Sequence, residues 1–296
     1  MKVGFIGVGV MGSRMVKRLL AAGYDVSVYN RSPEKVAPLV ELGAHDAKEI
    51  ESLVTGVDVI CTCLSMPNDS LDVYLASNGV IKNAKEGTIC IDFTTVGADT
   101  SQMIYNKAIE KGINFLDAPV SGGPEGAELG SLTIMVGGDS VPYEKVLPLL
   151  NYLGEMIQHL GSSGSGSIAK LINQYLVAVN SLAASEAMVT GAALGLDSGQ
   201  LYNILKVSYG DSKMLRRHME SFVLNRQFEP GGAVKYIHKD VRLANKLVEE
   251  SGLHQFTGTL AEKAFNEAME QGLAELDMSA VIQTLEKKCN VVVKGK

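Results

Sequence analysis

The sequence predicts a two-part α/β chain, with strands and helices alternating to about residue 161 and helices alone thereafter. Three observations carry this. Short apolar runs alternate with segments of helical spacing through the first half, the pattern of βαβ units and a mostly parallel sheet. The first run leads directly into Gly7-Val8-Gly9-Val10-Met11-Gly12. Past the flexible stretch Gly161-Ser162-Ser163-Gly164-Ser165-Gly166-Ser167 the alternation stops and a long apolar segment begins.

Each element follows from its own pattern. Val3–Ile6 reads as a strand, and Met11–Ala22 has helical spacing that ends at Gly23. Asp25–Tyr29 is a second strand with Val26 and Val28 on one side. Pro33 is expected to open a helix, at a position where proline is tolerated. Val57–Leu64, Thr88–Phe93 and Ile113–Ala118 read as buried strands, with a helix over Asp99–Lys111. Leu132–Val136 and Met156–His159 complete this half. Ile168–Leu194 reads as one apolar helix of about 40 Å at 1.5 Å per residue. Further helices are expected near 197–207, 211–224, 234–251, 256–271 and 278–288. The only strand-like pattern there is the tail Val291–Val293. The expected domains are therefore 1–161 and 162–296.

Composition narrows the function. A chain of 296 residues, 46% hydrophobic, can bury one large core or two medium ones. A net charge of −6 argues against nucleic acid as a partner, and the basic tail Lys287-Lys288 and Lys294-Gly295-Lys296 reads as solvated. Cys61, Cys63, Cys90 and Cys289 show no metal spacing, so no metal site is expected. They read as buried free thiols in a reducing cytosol, and the chain as cytoplasmic. The N-terminal apolar run is short and broken by glycine, unlike a signal peptide. No uncharged apolar run reaches about 18 residues without polar interruption, so no membrane span is expected.

The glycine turn carries the first chemistry. Gly7 permits the tight turn, Gly9 lets a pyrophosphate approach the backbone, and Gly12 lets helix pack on strand. The free N–H groups at the helix start attract phosphate. Gly7, Val8, Gly9, Val10, Met11 and Gly12 are thus expected to hold a dinucleotide, in a Rossmann-type domain. The second strand ends in Asn30-Arg31-Ser32 rather than in an acid. With no carboxylate at that strand end, Arg31 and Ser32 can take a 2′-phosphate, which favours NADP while leaving NAD possible. The plainer reading of Arg31 is a solvated loop residue. Leu64-Ser65-Met66-Pro67 and Phe93-Thr94-Thr95 also follow strand ends, where open α/β sheets place ligands. Thr95 can reach a nicotinamide ribose, or Thr94 or Thr95 can cap the next helix.

Asp117-Ala118-Pro119-Val120-Ser121-Gly122-Gly123-Pro124 ends another strand. Ser121 offers a hydroxyl, and Gly122 and Gly123 let backbone N–H groups form an anion cradle suited to a carboxylate. A turn without a ligand is the alternative. Lys170 and Asn173 stand three residues apart on one predicted helical face, placed for acid–base work on a small polar molecule.

These pieces resemble the β-hydroxyacid dehydrogenase family, which includes 3-hydroxyisobutyrate dehydrogenase, tartronate semialdehyde reductase and the succinic semialdehyde/glyoxylate reductases. Phe5 to Gly12, Asp117 to Gly123, Gly164 to Asn173 and Lys239-Asp240-Val241-Arg242-Leu243-Ala244 stand in the family's order and span nearly the whole chain. The resemblance implies that Lys170 is the catalytic lysine. It makes Ser121, Gly122 and Gly123 the carboxylate anchor, has Asn173 orient the substrate, and has Lys239 close over the nicotinamide end of the cofactor. Alone, Lys239-Asp240 would read as a surface ion pair. One position departs: similar proteins usually carry phenylalanine seven residues before the second-domain lysine, and Gly232 stands there, inside Phe228-Glu229-Pro230-Gly231-Gly232. The pocket is expected to be larger or reshaped.

The implied reaction moves hydride between the nicotinamide and the hydroxyl or carbonyl carbon of a small carboxylate, a 3-hydroxy acid or semialdehyde. Lys170 donates or takes the proton. Two other readings stand beside it: a non-catalytic NADP-binding module, since fold does not imply function, and an enzyme of the imine reductase or 6-phosphogluconate type. The long apolar helix needs more cover than five short helices supply, so a homodimer or homotetramer is expected.

Overall fold

The computed structural model describes residues 1–229 and 231–295, so Pro230 and Lys296 of the sequence reading lie outside the described residues. The chain divides into two compact units, Met1–Lys170 and Leu171–Lys296.

The first unit runs β1 (Lys2–Ile6), α1 (Val10–Ala21), β2 (Asp25–Tyr29), α2 (Ala37–Val40), β3 (His45–Asp46), α3 (Ile50–Thr55), β4 (Val59–Thr62), α4 (Pro67–Leu75) and α5 (Val80–Asn83). It continues through β5 (Ile89–Asp92), α6 (Ala98–Ile109), β6 (Asn114–Asp117), β7 (Val120–Ser121), α7 (Gly123–Leu129), β8 (Leu132–Gly137), α8 (Ser140–Leu150) and β9 (Gly154–Gly161), and takes in the start of α9 (Ser165–Ala193). The strands form one sheet in the order β3-β2-β1-β4-β5-β6-β8-β7, with β9 paired to β8. Pairing is parallel from β3 to β6 and antiparallel where β8 meets β6 and β7.

Strand periodicity builds the core. Val59, Cys61, Ile89 and Ile91 join Phe5, Met15 and Leu19 in one apolar cluster. Ile60 and Cys90, the residues between them, join Leu53, Tyr74, Ile104 and Phe115 in another. Both faces of β4 and β5 are therefore buried, which is why these strands read as continuous apolar runs. Each fully buried side chain of this size contributes about 1.5–3 kcal/mol.

The predicted helix at Pro33 is instead a single 3₁₀ turn, Pro33–Lys35, followed by the one-turn α2. Proline suits the first turn, and Val36 and Leu39 are buried after it, but a second proline, Pro38, has no N–H to bond back to the preceding turn, so the segment does not run on as one helix. Cys61 and Cys90 are buried, as the thiol reading requires, whereas Cys63 falls just beyond β4 and is half-buried, and Cys289 is exposed.

The second unit continues α9 and adds α10 (Ser198–Leu205), α11 (Lys213–His218), α12 (Val234–Glu250), α13 (Gly258–Glu270) and α14 (Ile282–Cys289). A π-helical turn at Met219–Val223 extends α11, and a 3₁₀ turn at Met278–Val281 leads into α14. Ala178 and Leu182 of α9 pack with Val234, Ile237, Val241 and Phe265. By length and composition α9 could cross a membrane. Yet Leu171, Ala178, Ser181, Ser185 and Met188 along it are buried in protein, as in the core helix of a folded domain. The tail Val291–Val293 forms no strand. Asn290 turns left-handed after α14, and Glu286 takes the tail's backbone: its carbonyl accepts from Val291 N–H and its carboxylate from Val293 N–H.

Candidate active site

The glycine turn joins β1 to α1 by close backbone approach. Gly7 has φ +93°, and a Cβ there would lie 2.4 Å from the Cys63 carbonyl. A Cβ on Gly12 would lie 2.0 Å from the Gly7 carbonyl. Gly9 is different: a Cβ there would meet nothing within 4 Å. It caps α1 with no side-chain hydrogen bond, and the first turn of α1 carries no acid. The first N–H groups of α1, beside the backbone of Val8, Val10 and Met11, are thus open to an anion. A dinucleotide pyrophosphate fits this cradle.

Asn30 serves the scaffold. Its Oδ1 accepts from Val8 N–H at 3.1 Å and its Nδ2 donates to the Ser32 carbonyl at 3.0 Å. It ties the glycine turn to the loop at the end of β2 that carries Arg31 and Ser32. The Arg31 side chain is 89% exposed. The strand end carries no acid, but α4 supplies one: Asp69 Oδ1 stands 3.7 Å from Arg31. The other oxygen of Asp69 accepts from Met66 N–H at 3.0 Å, which sets the Leu64-Ser65-Met66-Pro67 loop.

The next loop is fixed by Thr94. Its hydroxyl accepts from Leu64 N–H, and its own N–H donates to Asp92, whose same oxygen accepts from the Thr62 hydroxyl. Burial pushes the Asp92 carboxyl above its ordinary range against these bonds. Helix α6 is capped by Gly97, so neither Thr94 nor Thr95 caps it. Thr95 is half-buried on the loop itself.

Gly122 (φ +135°) and Gly123 (φ +67°) follow β7 and open α7, so left-handed backbone is built where the anion cradle was expected. Ser121 is half-buried beside them. One acid stands near: Glu125 Oε2 lies 3.1 Å from where a Gly123 Cβ would be.

Asp117, at the end of β6, positions the lysine helix. Its two oxygens accept from Gly164 N–H at 2.7 Å and Ser167 N–H at 2.8 Å, satisfying amides at the start of α9. Burial raises its pKa to about 6, less than it would without those two amides. Gly166 presses the same turn onto the sheet, since a Cβ there would lie 2.2 Å from the Met135 carbonyl. This contact explains why the compact unit extends to Lys170, inside α9. Lys170 lies just beyond that turn and is 7% exposed.

In the second unit, Asn173 Nδ2 donates to Gln174 Oε1 at 3.0 Å, and Gln174 Nε2 donates to Asp240 Oδ2 at 2.5 Å. Lys239 Nζ lies 2.9 Å from Asp240 Oδ1. Gly232 is pinned on both sides: its N–H donates to Asp277 and its carbonyl accepts from Met278 N–H. Asp277 also takes both Arg217 terminal nitrogens and the N–H groups of Gly231 and Ser279. Burial pushes its pKa up, but the Arg217 guanidinium pulls it further down, so it is lowered overall. Among the described residues no group of three or more His, Cys, Asp or Glu could hold a metal.

The structure therefore gathers Gly7, Gly9, Gly12, Asn30 and Leu64 to Pro67 around the ends of β1, β2 and β4, and Asn173 and Lys239 around Asp240. Sequence reasoning missed Asp117, Thr94, Asp69, Gln174 and Asp240 as working groups. An acid closing an apolar strand was the available signal for Asp117; the Gln174–Asp240 pair, 66 residues apart, had none.

The model for the NAD-binding domain of 6-phosphogluconate dehydrogenase matches residues 2–161, and that for the NAD-binding domain of NADP-dependent 3-hydroxyisobutyrate dehydrogenase matches 164–285. The 2-(hydroxymethyl)glutarate dehydrogenase of Eubacterium barkeri is 35% identical over 99% of this chain and 98% of its own length. The structure of Mycobacterium tuberculosis 3-hydroxyisobutyrate dehydrogenase with L-serine matches with a TM-score of 0.87 and 29% identity, covering 96% of this chain and 98% of that one. An imine reductase from Myxococcus stipitatus, covering 96% of this chain and all of its own, has a TM-score of 0.64 at 21% identity, a likeness of fold alone.

Proposed function

The chain belongs to the β-hydroxyacid dehydrogenase family, and from that premise we propose that Lys170 is the general acid and base for a small β-hydroxy acid or its semialdehyde. The observation that carries this reading is the clamp on α9: Asp117 fixes the helix start by two amides, and Lys170 follows, nearly buried. The relatives' names agree in chemistry. 2-(Hydroxymethyl)glutarate, 3-hydroxyisobutyrate and L-serine each bear a CH₂OH group on the carbon that carries the carboxylate.

When bound, the nicotinamide supplies or accepts the hydride. Ser121 and the amides of Gly122 and Gly123 bind the substrate carboxylate. Asn173 orients the hydroxyl, and Lys170 holds the proton that the substrate oxygen gains or loses. Lys239 acts at the nicotinamide end, and Thr95 at its ribose. We read 1–161 as the cofactor half and 162–296 as the substrate half of a cytoplasmic homodimer or homotetramer. Lys170→Ala and Lys170→Arg should cut kcat by about 10²–10⁴ with cofactor affinity nearly intact. Near-normal turnover would sink the assignment.

NADP is preferred over NAD in this reading, because Arg31 and Ser32 reach solvent at the end of β2. Asp69 shares Arg31 and moderates the preference. Screening C2–C6 hydroxy acids and semialdehydes against both cofactors tests both points. Arg31→Ala should narrow the NADPH/NADH ratio of kcat/KM and Asp69→Asn should widen it. An NADH preference in the unmodified chain contradicts the cofactor reading.

A further inference from the structure

We propose that Gln174 and Asp240 are positioning residues that couple Asn173 to Lys239, and that their polarity dictates which atom Asn173 presents to its ligand. This rests on the roles assigned above to Asn173 and Lys239. The argument starts from Asp240, which is buried on α12 among the apolar residues Ile237 and Val241. A buried carboxylate must be paired, and when ionised it can only accept. Lys239 supplies the charge at 2.9 Å, and Gln174 supplies a donor at 2.5 Å. Gln174 must therefore turn its nitrogen to Asp240, which leaves Oε1 as its remaining polar atom.

That oxygen can only accept, so Asn173 must offer Nδ2, as the 3.0 Å contact has it. Each amide in the chain is oriented by the one before it, and the order runs back to the charge on Asp240. Asn173 is left with Oδ1 as its acceptor toward a ligand. An acceptor suits the O–H of a hydroxy acid, which is a donor. The same carboxylate holds Lys239. A change at Gln174 is thereby felt at Lys239, although Gln174 belongs to a different helix and is itself nearly buried.

The test is NADPH affinity, read by nucleotide fluorescence in the full chain, since it needs no knowledge of the substrate. Gln174→Met keeps the side chain's length and removes both polar contacts. It should weaken NADPH about threefold to tenfold. The double variant Gln174→Met/Lys239→Met should bind within about twofold of Lys239→Met alone, because the two act through one path. Gln174→Met binding like the unmodified chain, or a double variant weakened by the product of the two singles, overturns the coupling. Should Lys239→Met itself bind normally, the cofactor role of Lys239 fails and the coupling loses its output. That outcome is distinguishable from the others.

Gln174→Glu gives a readout that a merely structural role would not move, and it serves if Gln174→Met unfolds. Two facing carboxyls can share one proton. NADPH affinity of this variant, relative to the unmodified chain, should recover as the pH falls from about 8 to about 6. A flat ratio overturns the proposal.

Discussion

The two units use different materials for the same task. In the first, the candidate ligand-binding groups are backbone: the open amides of α1, the left-handed glycines after β7, and loops held by Asn30 and Thr94. In the second, the candidate groups are side chains on helices, with Asn173, Gln174, Asp240 and Lys239 in one chain of contacts. A backbone site tolerates no added atom where chains touch. A side-chain site is broken only by removing a partner.

The largest effect should separate two glycines of one turn. Gly12→Ala forces a Cβ against the Gly7 carbonyl and should destabilise the first unit by about 3 kcal/mol. Gly9→Ala meets nothing and should leave the melting temperature nearly unchanged while weakening cofactor about tenfold or more. Thermal melts with and without NADPH measure both, and equal damage at the two positions would break the distinction.

Next comes a partner removed from the second unit. Asp277→Ala strips Arg217 and the Gly231, Gly232 and Ser279 amides of their acceptor. The Arg217 side chain is 29% exposed, so water recovers part of the loss, and about 3 kcal/mol is expected. Hydrogen exchange should show the loss around residues 231–232 and 277–281, with the amides of the α1 turn unaffected.

The smallest effect is one of sign. Asp117 has its pKa raised in the folded chain, so its stabilising contribution is full below the unfolded value and is lost as pH rises through about 6. Asp277 has its pKa lowered, so its contribution is present above the unfolded value and is lost as pH falls through the folded one. Asp117→Asn loses one acceptor at every pH, but its stability relative to the unmodified chain should rise as pH goes from about 4 to about 6. Chemical denaturation across that range checks it, and an opposite slope would refute the role of burial at Asp117.

The same contrast governs what could be read before the structure. The glycine turn was legible because steric rules act within a few residues: Gly7 takes the tight left-handed turn and Gly12 the close helix–strand approach that their spacing implies. The strands β4 and β5 were legible because both their faces are buried, and β2 because one face is; β3, two exposed residues, was not. The helices α3 to α5 were not, since they are short and placed by tertiary contact more than by periodicity. Val291–Val293 looked like a strand but is held by Glu286 instead. Asn30, expected at the cofactor, also holds Val8 N–H and the Ser32 carbonyl, a scaffold role that no local pattern marks. Arg31 and Asp69 meet across 38 residues of chain (69 − 31), and no local pattern marks such a pair. Gln174 and Asp240 are hidden for the same reason.

Helix α9 has one more consequence. Lys170 and Asn173 ride on a single unbroken helix whose start is locked by Asp117. Their angular offset is thus a matter of phase, set by helical pitch rather than by any loop. Length changes before Ser165 carry both residues together. One residue gained or lost between them would swing one against the other by about 100°. The interval Lys170–Asn173 behaves as a ruler with a fixed number of divisions, whatever happens to the sequence on either side.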